Sequence, residues 1–587
     1  MNYNLNTTSK PAEKKPIWQE LKTLLAVAGA EKQNLLFALL IMLVNTGINL
    51  SGPLLIGYTI DHYIVTKQFD GVLLFSGILL AMYAVVFVGG YSQTRLMGGV
   101  AQRIVFGLRN AVFHKVQQLP VAFFNQNKAG DLISRINSDT DRLNQFFSQA
   151  LLQFLSSIFM LLAAGTFMLI INFKLGVVTI LPALVIWLFV NRISPWVRKK
   201  NAASLKSVGL LSAEIQESLN NFKVVVAFNR RDYFRRRFDT ANQQNYKTAV
   251  GAGIAGTVFM PVFSLFSNIA QLLVLAYGIH LIRQGDLTVG LLISYIAYAT
   301  NFYNPIRQLA TLWTSLQTAL ASWDRISQML AQENNLTILE SKEESKLSAP
   351  LMEFRDVHFG YPNGKEILHH ISFSLQQGKV YAFVGPTGGG KTTTASLMAR
   401  LYDPLQGEVF LNGRDIRTYS AAERSQQIGF ILQEPLLFTG TVKENILYGN
   451  DLYQGLGKDE FLEVIDQAGL AELLQVFDEG LDTEVKAGGA QLSLGQKQLI
   501  AFMRAFLRKP ALLILDEATA NIDTVTEQLL EKILEKLPQE TTLVIIAHRL
   551  NTIENADEIF FVNAGEVIRA GSFKDALNLL MQTKRVS

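Results

Sequence analysis

The sequence predicts a multi-domain chain: an all-α unit of six membrane-crossing helices with long cytoplasmic helical extensions, followed by a soluble α/β unit. Three observations predict it. Apolar residues make up 49% of the 587 and charged residues only 17%, below the roughly 25% charge of soluble proteins. The apolar residues gather in the first half, in runs near the roughly 20 residues that cross a bilayer as a helix. Beyond residue 350, short β-rich runs alternate with helical ones, the pattern of an α/β fold.

Residues 1–33 form a polar leader, the wrong order for a cleavable signal peptide, so the first apolar run is expected to stay as a membrane helix. Within the leader, Ile17, Leu21, Leu24 and Leu25 share a helical face beside Trp18, which fits a short helix lying along the membrane surface; the blander reading is a loosely ordered tail. The six spans are expected at 34–58, 73–95, 149–171, 174–195, 256–282 and 289–312, within a membrane domain of 34–328. Only Asn172-Phe173-Lys174 separates the third from the fourth, which leaves room for a tight turn. By contrast, the connections after the second and fourth spans are long, free of Pro/Gly clusters and rich in helix formers, so they read as helical protrusions.

Charge orients the unit. The second long connection carries Lys199, Lys200, Lys206, Lys223, Arg230, Arg231, Arg235, Arg236 and Arg237, and the first carries Arg103, Arg109, Lys115, Lys128, Arg135 and Arg142. The opposite loops hold little beyond Lys67, Lys174 and Arg283. The positive-inside rule therefore expects both connections, both termini and the α/β unit on the cytoplasmic side of a cell membrane. Polar residues inside the spans are uncharged: Asn45, Asn49, Gln153, Asn268, Gln271 and Asn301, with Tyr295, Tyr298, Phe302 and Tyr303 in the last. They read as the lining of an amphipathic cavity or, equally, as interhelical hydrogen bonds. The net charge of +4 is not gathered on one soluble module and gives no sign of nucleic-acid binding. The absence of cysteine excludes disulfides, thiolate metal sites and cysteine nucleophiles.

Residues 329–350 read as a charged linker, and 351–587 as the α/β domain. Its strongest signal is Gly385-Pro386-Thr387-Gly388-Gly389-Gly390-Lys391-Thr392, preceded by the strand-like Val380–Val384 and followed by a helical run that begins with Thr393. This is a phosphate-binding P-loop in its strand–loop–helix setting. Glycines let backbone N–H groups curl around phosphate oxygens, Lys391 neutralises the β- and γ-phosphates of ATP, and the Thr392 hydroxyl holds Mg²⁺. An apolar strand, Ala511 to Leu515, then delivers Asp516 and Glu517 to its C-terminal edge. Asp516 is placed for the Mg²⁺ sphere and Glu517 for orienting and deprotonating the attacking water.

Between these motifs stands Gln491-Leu492-Ser493-Leu494-Gly495-Gln496. With it the chain resembles, over nearly all its length, the exporter class of ATP-binding cassette (ABC) transporters, a half-transporter with membrane domain and P-loop ATPase domain fused. The likeness includes Tyr361, Gln433 before Glu434-Pro435, Asp523 and His548-Arg549. In the membrane half it includes Phe123-Phe124, Gly130 to Arg135, Asp139 and Val224 to Arg230. The resemblance implies that Tyr361 stacks on adenine, that Gln433 touches Mg²⁺ and the water, and that His548 contacts the γ-phosphate. It implies that Ser493 and Gly495, opening the helix that continues with Gln496, close in trans over nucleotide on a partner cassette, with Asp523 also at the site. A dimer with twelve spans follows, cycling between inward- and outward-open states as ATP binds and is hydrolysed.

Two places depart from the family pattern: Leu494 stands where the first of two glycines is usual, and Glu484 to Gly489, just before the signature, differs from the usual charged run. The P-loop, Asp516, Glu517 and His548 remain intact. That combination resembles one subunit of heterodimeric bacterial multidrug exporters, so a second, different half-transporter is the expected partner, with a homodimer as the alternative. The expected cargo is amphipathic compounds; a lipid or lipid-linked glycan flippase, or a membrane ATPase that regulates, are the other readings.

Overall fold

The computed structural model describes residues 3–5, 17–334, 336–340, 349–362, 364–516, 524–546, 556–571 and 574–575. The chain forms two compact units: Ser9–Gln117 with Gly130–Ala331, and Met1–Thr8 with Gln118–Ala129 and Gln332–Ser587.

The first unit is helical. A short α1 (Ile17–Val27) precedes α2 (Lys32–Thr59) and α3 (Phe69–Gln117). Of the leader face, Leu24 is buried and Leu25 exposed. The short α4 (Val121–Gln126) belongs to the second unit. From Ala129 one rod comprises α5 (Ala129–Ser134), α6 (Thr140–Gln145) and α7 (Leu151–Ile171), joined by π-helical turns. Asn172 makes the tight turn: extended at ψ 109°, it accepts a hydrogen bond from Leu175 N and so caps α8 (Phe173–Asn220). The short α9 (Phe222–Ala227) follows, then α10 (Arg231–Thr257), α11 (Phe259–Gln284) and α12 (Val289–Leu330).

Among the described residues, five helical stretches are long and apolar enough to cross a membrane: Gln19–Ile64, Phe69–Gln117, Ala129–Ile171, Phe173–Asn220 and Arg231–Gln284. The sixth expected span falls on α12, which is a continuous helix but too polar to join them. The physical reason lies in its surroundings. Tyr295, Tyr298 and Tyr303 are buried between helices, and their hydroxyls donate to backbone carbonyls: Asn172 O at 2.8 Å, Leu50 O at 2.5 Å and Thr179 O at 2.7 Å. Two of these carbonyls lie in the turns just before Pro53 and Pro182. The cavity reading of these three tyrosines therefore gives way to interhelical bonding.

The start of α12 meets the end of α2 backbone to backbone. A Cβ at Gly290 would lie 2.0 Å from Gly57 O, and one at Gly57 would lie 2.6 Å from Gly290 O. Ser294 Oγ donates to Pro53 O at 2.6 Å, while Asp61 accepts from Thr288 Oγ1 at 2.5 Å and Gly290 N at 2.8 Å. Near the other end of α12, Arg325 joins the Gly130–Asp139 segment: it donates to Asp131 at 2.6 Å and pairs with fully buried Asp139 at 3.2 Å. Arg135, itself buried, bonds Asp131 at 2.9 Å and Arg325 O at 2.6 Å.

The second unit holds two principal sheets. In chain order its elements are β1 (Met352–Gly360), β2 (Glu366–Leu375), β3 (Val380–Val384), α13 (Lys391–Met398), β4 (Gln406–Leu411) and β5 (Arg414–Asp415). Next come α14 (Ala421–Gln427), β6 (Ile428–Ile431), β7 (Gly440–Thr441), α15 (Val442–Leu447), α16 (Lys458–Gln467), α17 (Ala471–Leu474), β8 (Glu484–Val485) and α18 (Leu494–Phe506). The last are β9 (Leu512–Asp516), α19 (Thr524–Glu535), β10 (Thr542–Ile546), β11 (Glu558–Asn563) and β12 (Glu566–Gly571). The main sheet runs β12-β11-β3-β10-β9-β6, with β11, β3, β10, β9 and β6 parallel. Every residue of β9 and β10 is buried, as expected of parallel strands covered on both faces. A second, antiparallel sheet runs β2-β1-β4-β5.

Candidate functional site

Strand register decides which side chains meet. Phe383 lies opposite Ile546, and Ile546 opposite Asp516, so β3, β10 and β9 end in one row. On the other side of β9, Ile431 pairs with Leu515, which starts the exposed loop of Gln433 at the same edge. Ligands of open α/β sheets bind at this carboxyl edge.

The loop leaving β3 is shaped by close backbone approaches. Gly385 has φ +149°, and a Cβ there would lie 1.9 Å from Val562 O. Gly390 has φ +114° and would meet Leu368 Cδ2 at 2.6 Å, so neither position admits a side chain without displacement. Gly388, at φ +83°, faces open space, and Gly389 N donates to Pro386 O at 3.1 Å to close the turn around Thr387. Lys391 is buried, and its Nζ donates to Gly385 O at 2.9 Å and Pro386 O at 3.0 Å. The ammonium thus sits inside its own loop, where phosphate oxygens can replace those carbonyls. Beneath it Thr392 Oγ1 donates to buried Asp516 Oδ1 at 3.1 Å. A hydroxyl and a carboxylate are hard oxygen donors, and together they fit a Mg²⁺ ion. Thr393 Oγ1 lies 3.3 Å from the Tyr361 hydroxyl, and the Tyr361 ring meets Phe359 and Tyr402 edge-on, both at 5.2 Å. Glu517, Asp523 and His548 lie outside the described residues.

Ser493 and its neighbours form a separate surface at the start of α18. Ser493 Oγ accepts from Gln496 N at 3.1 Å, and Gln496 Oε1 accepts from Ser493 N at 2.9 Å, a reciprocal capping box. Gln496 Nε2 also donates to Val476 O at 2.9 Å. Gly495 is buried, and a Cβ there would lie 2.8 Å from Thr526 Oγ1 on α19. Its smallness is thus already required by packing within the chain. Leu494 is half-buried beside exposed Ser493.

Sequence reasoning missed two features of this unit. Asn125 Nδ2 of α4 donates to the Tyr402 hydroxyl at 2.8 Å, and burial raises the Tyr402 phenol above its ordinary value while the Asn125 bond opposes that rise. Asn127 Oδ1 in turn accepts from Leu5 N at 3.0 Å, and Tyr3 N donates to Gln126 Oε1 at 2.8 Å. The Phe123-Phe124 motif drew attention to this segment, but nothing marked Tyr402. The second is Arg400, buried, with φ +49°, which donates to Asp403 Oδ1 at 2.9 Å and to Thr337 O at 2.8 Å and so fastens the linker.

Residues 35–306 match the family model of the ABC transporter transmembrane region, and residues 368–520 match that of the ABC transporter. A fatty acid ABC transporter ATP-binding/permease protein of Mycobacterium bovis is 32% identical, over 85% of this chain and 78% of its own. A multidrug resistance ABC transporter ATP-binding and permease protein of Lactococcus lactis subsp. lactis is 31% identical, over 84% of each. Among solved structures, a bacterial Atm1-family ABC exporter with ATP bound superimposes with a TM-score of 0.76 at 25% identity, covering 95% of this chain and 98% of that one.

Proposed function

Because the chain belongs to the ABC transporter family, as an exporter half-transporter that couples ATP hydrolysis to transport, we propose that it moves amphipathic or hydrophobic compounds out of the cytoplasm or inner leaflet of a cell membrane. The observation that carries the nucleotide chemistry is the stack of Lys391, Thr392 and Asp516 beneath a glycine loop that tolerates no side chain at Gly385. In this reading Lys391 exchanges its two carbonyl partners for phosphate oxygens, and Tyr361 supports adenine. Thr392, Asp516 and Gln433 hold Mg²⁺, which supplies charge neutralisation on the β- and γ-phosphates. Glu517 takes the proton from the attacking water, and His548 steadies the γ-phosphate. The names of a fatty acid transporter and a multidrug transporter among the relatives support a greasy cargo. The basic residues of the two long connections support a cytoplasmic ATPase with both termini on that side.

Exporters of this family function as dimers. Ser493 lies outside the P-loop stack and on the surface, which supports its use by a partner's nucleotide. The helix α9 and the residue that ends it support the same: Phe222, Val224 and Phe228 are each more than half exposed on a cytoplasmic tip, where apolar surface calls for a covering partner. We assign that partner to a different half-transporter, since Leu494 puts a side chain where close backbone approach to a γ-phosphate needs glycine. Purified alone in lipid, the chain is expected to hydrolyse ATP weakly, and co-expression with the second subunit restores activity that Glu517→Gln removes. Robust activity of the chain alone, abolished by Glu517→Gln, would establish a homodimer instead. Stimulation of the active pair by dyes but not by lipids separates drug export from lipid flipping.

A further inference from the structure

A second candidate metal site lies away from the P-loop, on the antiparallel sheet. Three of the chain's 7 histidines, His358, His369 and His370, fall on β1 and β2. The pairing of these strands is broken by three irregularities, of which the first two are opposed. Between Phe354 and Val357 the register gives β1 an extra residue, and between Val357 and Phe359 it gives one to β2. At these bulges Asp356 and His370 take left-handed conformations, φ +47° and +49°, which aspartate and histidine adopt more readily than most side chains. The result is that Asp356, His358 and His370 turn to one point. Their ligand atoms all lie within 4.8 Å of one another. His358 Nε2 is 3.1 Å from His370 Nδ1, His370 Nδ1 is 2.8 Å from Asp356 Oδ1, and His358 Nε2 is 3.8 Å from that same oxygen.

These separations match a coordination sphere. Zinc bonds of about 2.0–2.1 Å in tetrahedral array hold neighbouring donors about 3.3 Å apart, and the three edges straddle that value. The far side of His358 is also arranged for a ligand: Nδ1 faces Glu366 Oε1 at 2.5 Å. A carboxylate that accepts a hydrogen bond from Nδ1–H fixes the tautomer that leaves Nε2 with a lone pair toward the site, the outer arrangement found behind metal-bound histidines. His358 is mostly buried while Asp356 and His370 are mostly exposed, so the site has one anchored ligand and an open mouth.

We propose that Asp356, His358 and His370 form a binding site for one divalent cation of the zinc class, with Glu366 as positioning residue and a fourth position open to water. Two imidazoles and a carboxylate select Zn²⁺, Co²⁺ or Ni²⁺ over Mg²⁺, which prefers oxygen donors. The site is independent of the transport reading. Bound metal clamps β1 to β2 on the hairpin that leads into Tyr361.

The test uses the full chain in detergent, purified without a polyhistidine tag and stripped by chelator, and titrated with Co²⁺ alone. One Co²⁺ per chain, with visible absorption of a nitrogen- and oxygen-ligated ion and displacement by equimolar Zn²⁺, is the expected result. His370→Ala, a change at an exposed side chain, should abolish that spectrum while ATP affinity and the metal-free melting temperature stay at wild-type values. Glu366→Gln should weaken binding about 10- to 100-fold. A featureless titration of wild type, or Co²⁺ binding unchanged in His370→Ala, would overturn the proposal.

Discussion

At the scale of single residues, the two motifs differ in what their glycines do. Gly385 is held by the backbone of β11, so its requirement belongs to the nucleotide loop itself. Gly495 is held by Thr526 of α19, so its requirement is one of packing. Gly495→Ala should therefore lower stability by about 1–3 kcal/mol, the usual cost of overpacking, seen as a fall in melting temperature without nucleotide. Leu494→Gly should leave the melting temperature within a degree or two and raise ATP turnover of the assembled pair. An unchanged turnover would sever Leu494 from the asymmetry argued for the dimer. The phosphate-binding residues were legible from sequence because their chemistry is local: eight consecutive positions carry the loop, the cation and the hydroxyl. The roles of Asn125, Tyr402 and Arg400 were not, since each depends on a surface formed by distant parts of the chain.

At the scale of elements, α12 shows the limit of hydropathy. The sequence placed a sixth helix at 289–312, and a helix runs through it, but its tyrosines serve neighbouring backbones rather than a cavity. Alternative readings stayed open because a tyrosine lining a pore and one capping a carbonyl have the same local sequence. Tyr298→Phe removes the donor to Leu50 O. In membrane proteins such bonds are worth about 0.6 kcal/mol on average and up to about 1.7. A drop in thermal midpoint of that scale is expected in a fixed detergent, with the concentration of drug needed to stimulate ATPase unchanged. If drug response shifts and stability does not, Tyr298 belongs to a binding surface.

At the scale of the whole molecule, the first long connection contributes α4 to the compact unit that holds the ATPase fold. The bond from Asn125 to Tyr402 ties the aromatic group around Tyr361 to a segment that lies in sequence between α3 and α5. Asn125→Ala should reduce transport into inside-out vesicles several-fold while ATPase activity persists; equal losses of both would assign the bond to folding alone. The fold class and the division of labour between halves could be read from sequence, since bilayer thickness and phosphate chemistry each impose a pattern. That α4 sits with the ATPase could not: Phe123-Phe124 marked the segment, but its partner Tyr402 lies 277 positions from Asn125 and carries no signal of its own. The seam between α2 and α12 has a further consequence, for biosynthesis. Its four hydrogen bonds join residues 227 to 248 positions apart. During synthesis the first span must therefore wait in the membrane with Asp61 and the carbonyls near Pro53 lacking these partners until the last span emerges. Chains stalled before Thr288 would carry that unmet carboxylate as a mark of incompleteness, and should be cleared faster than chains stalled after Tyr303.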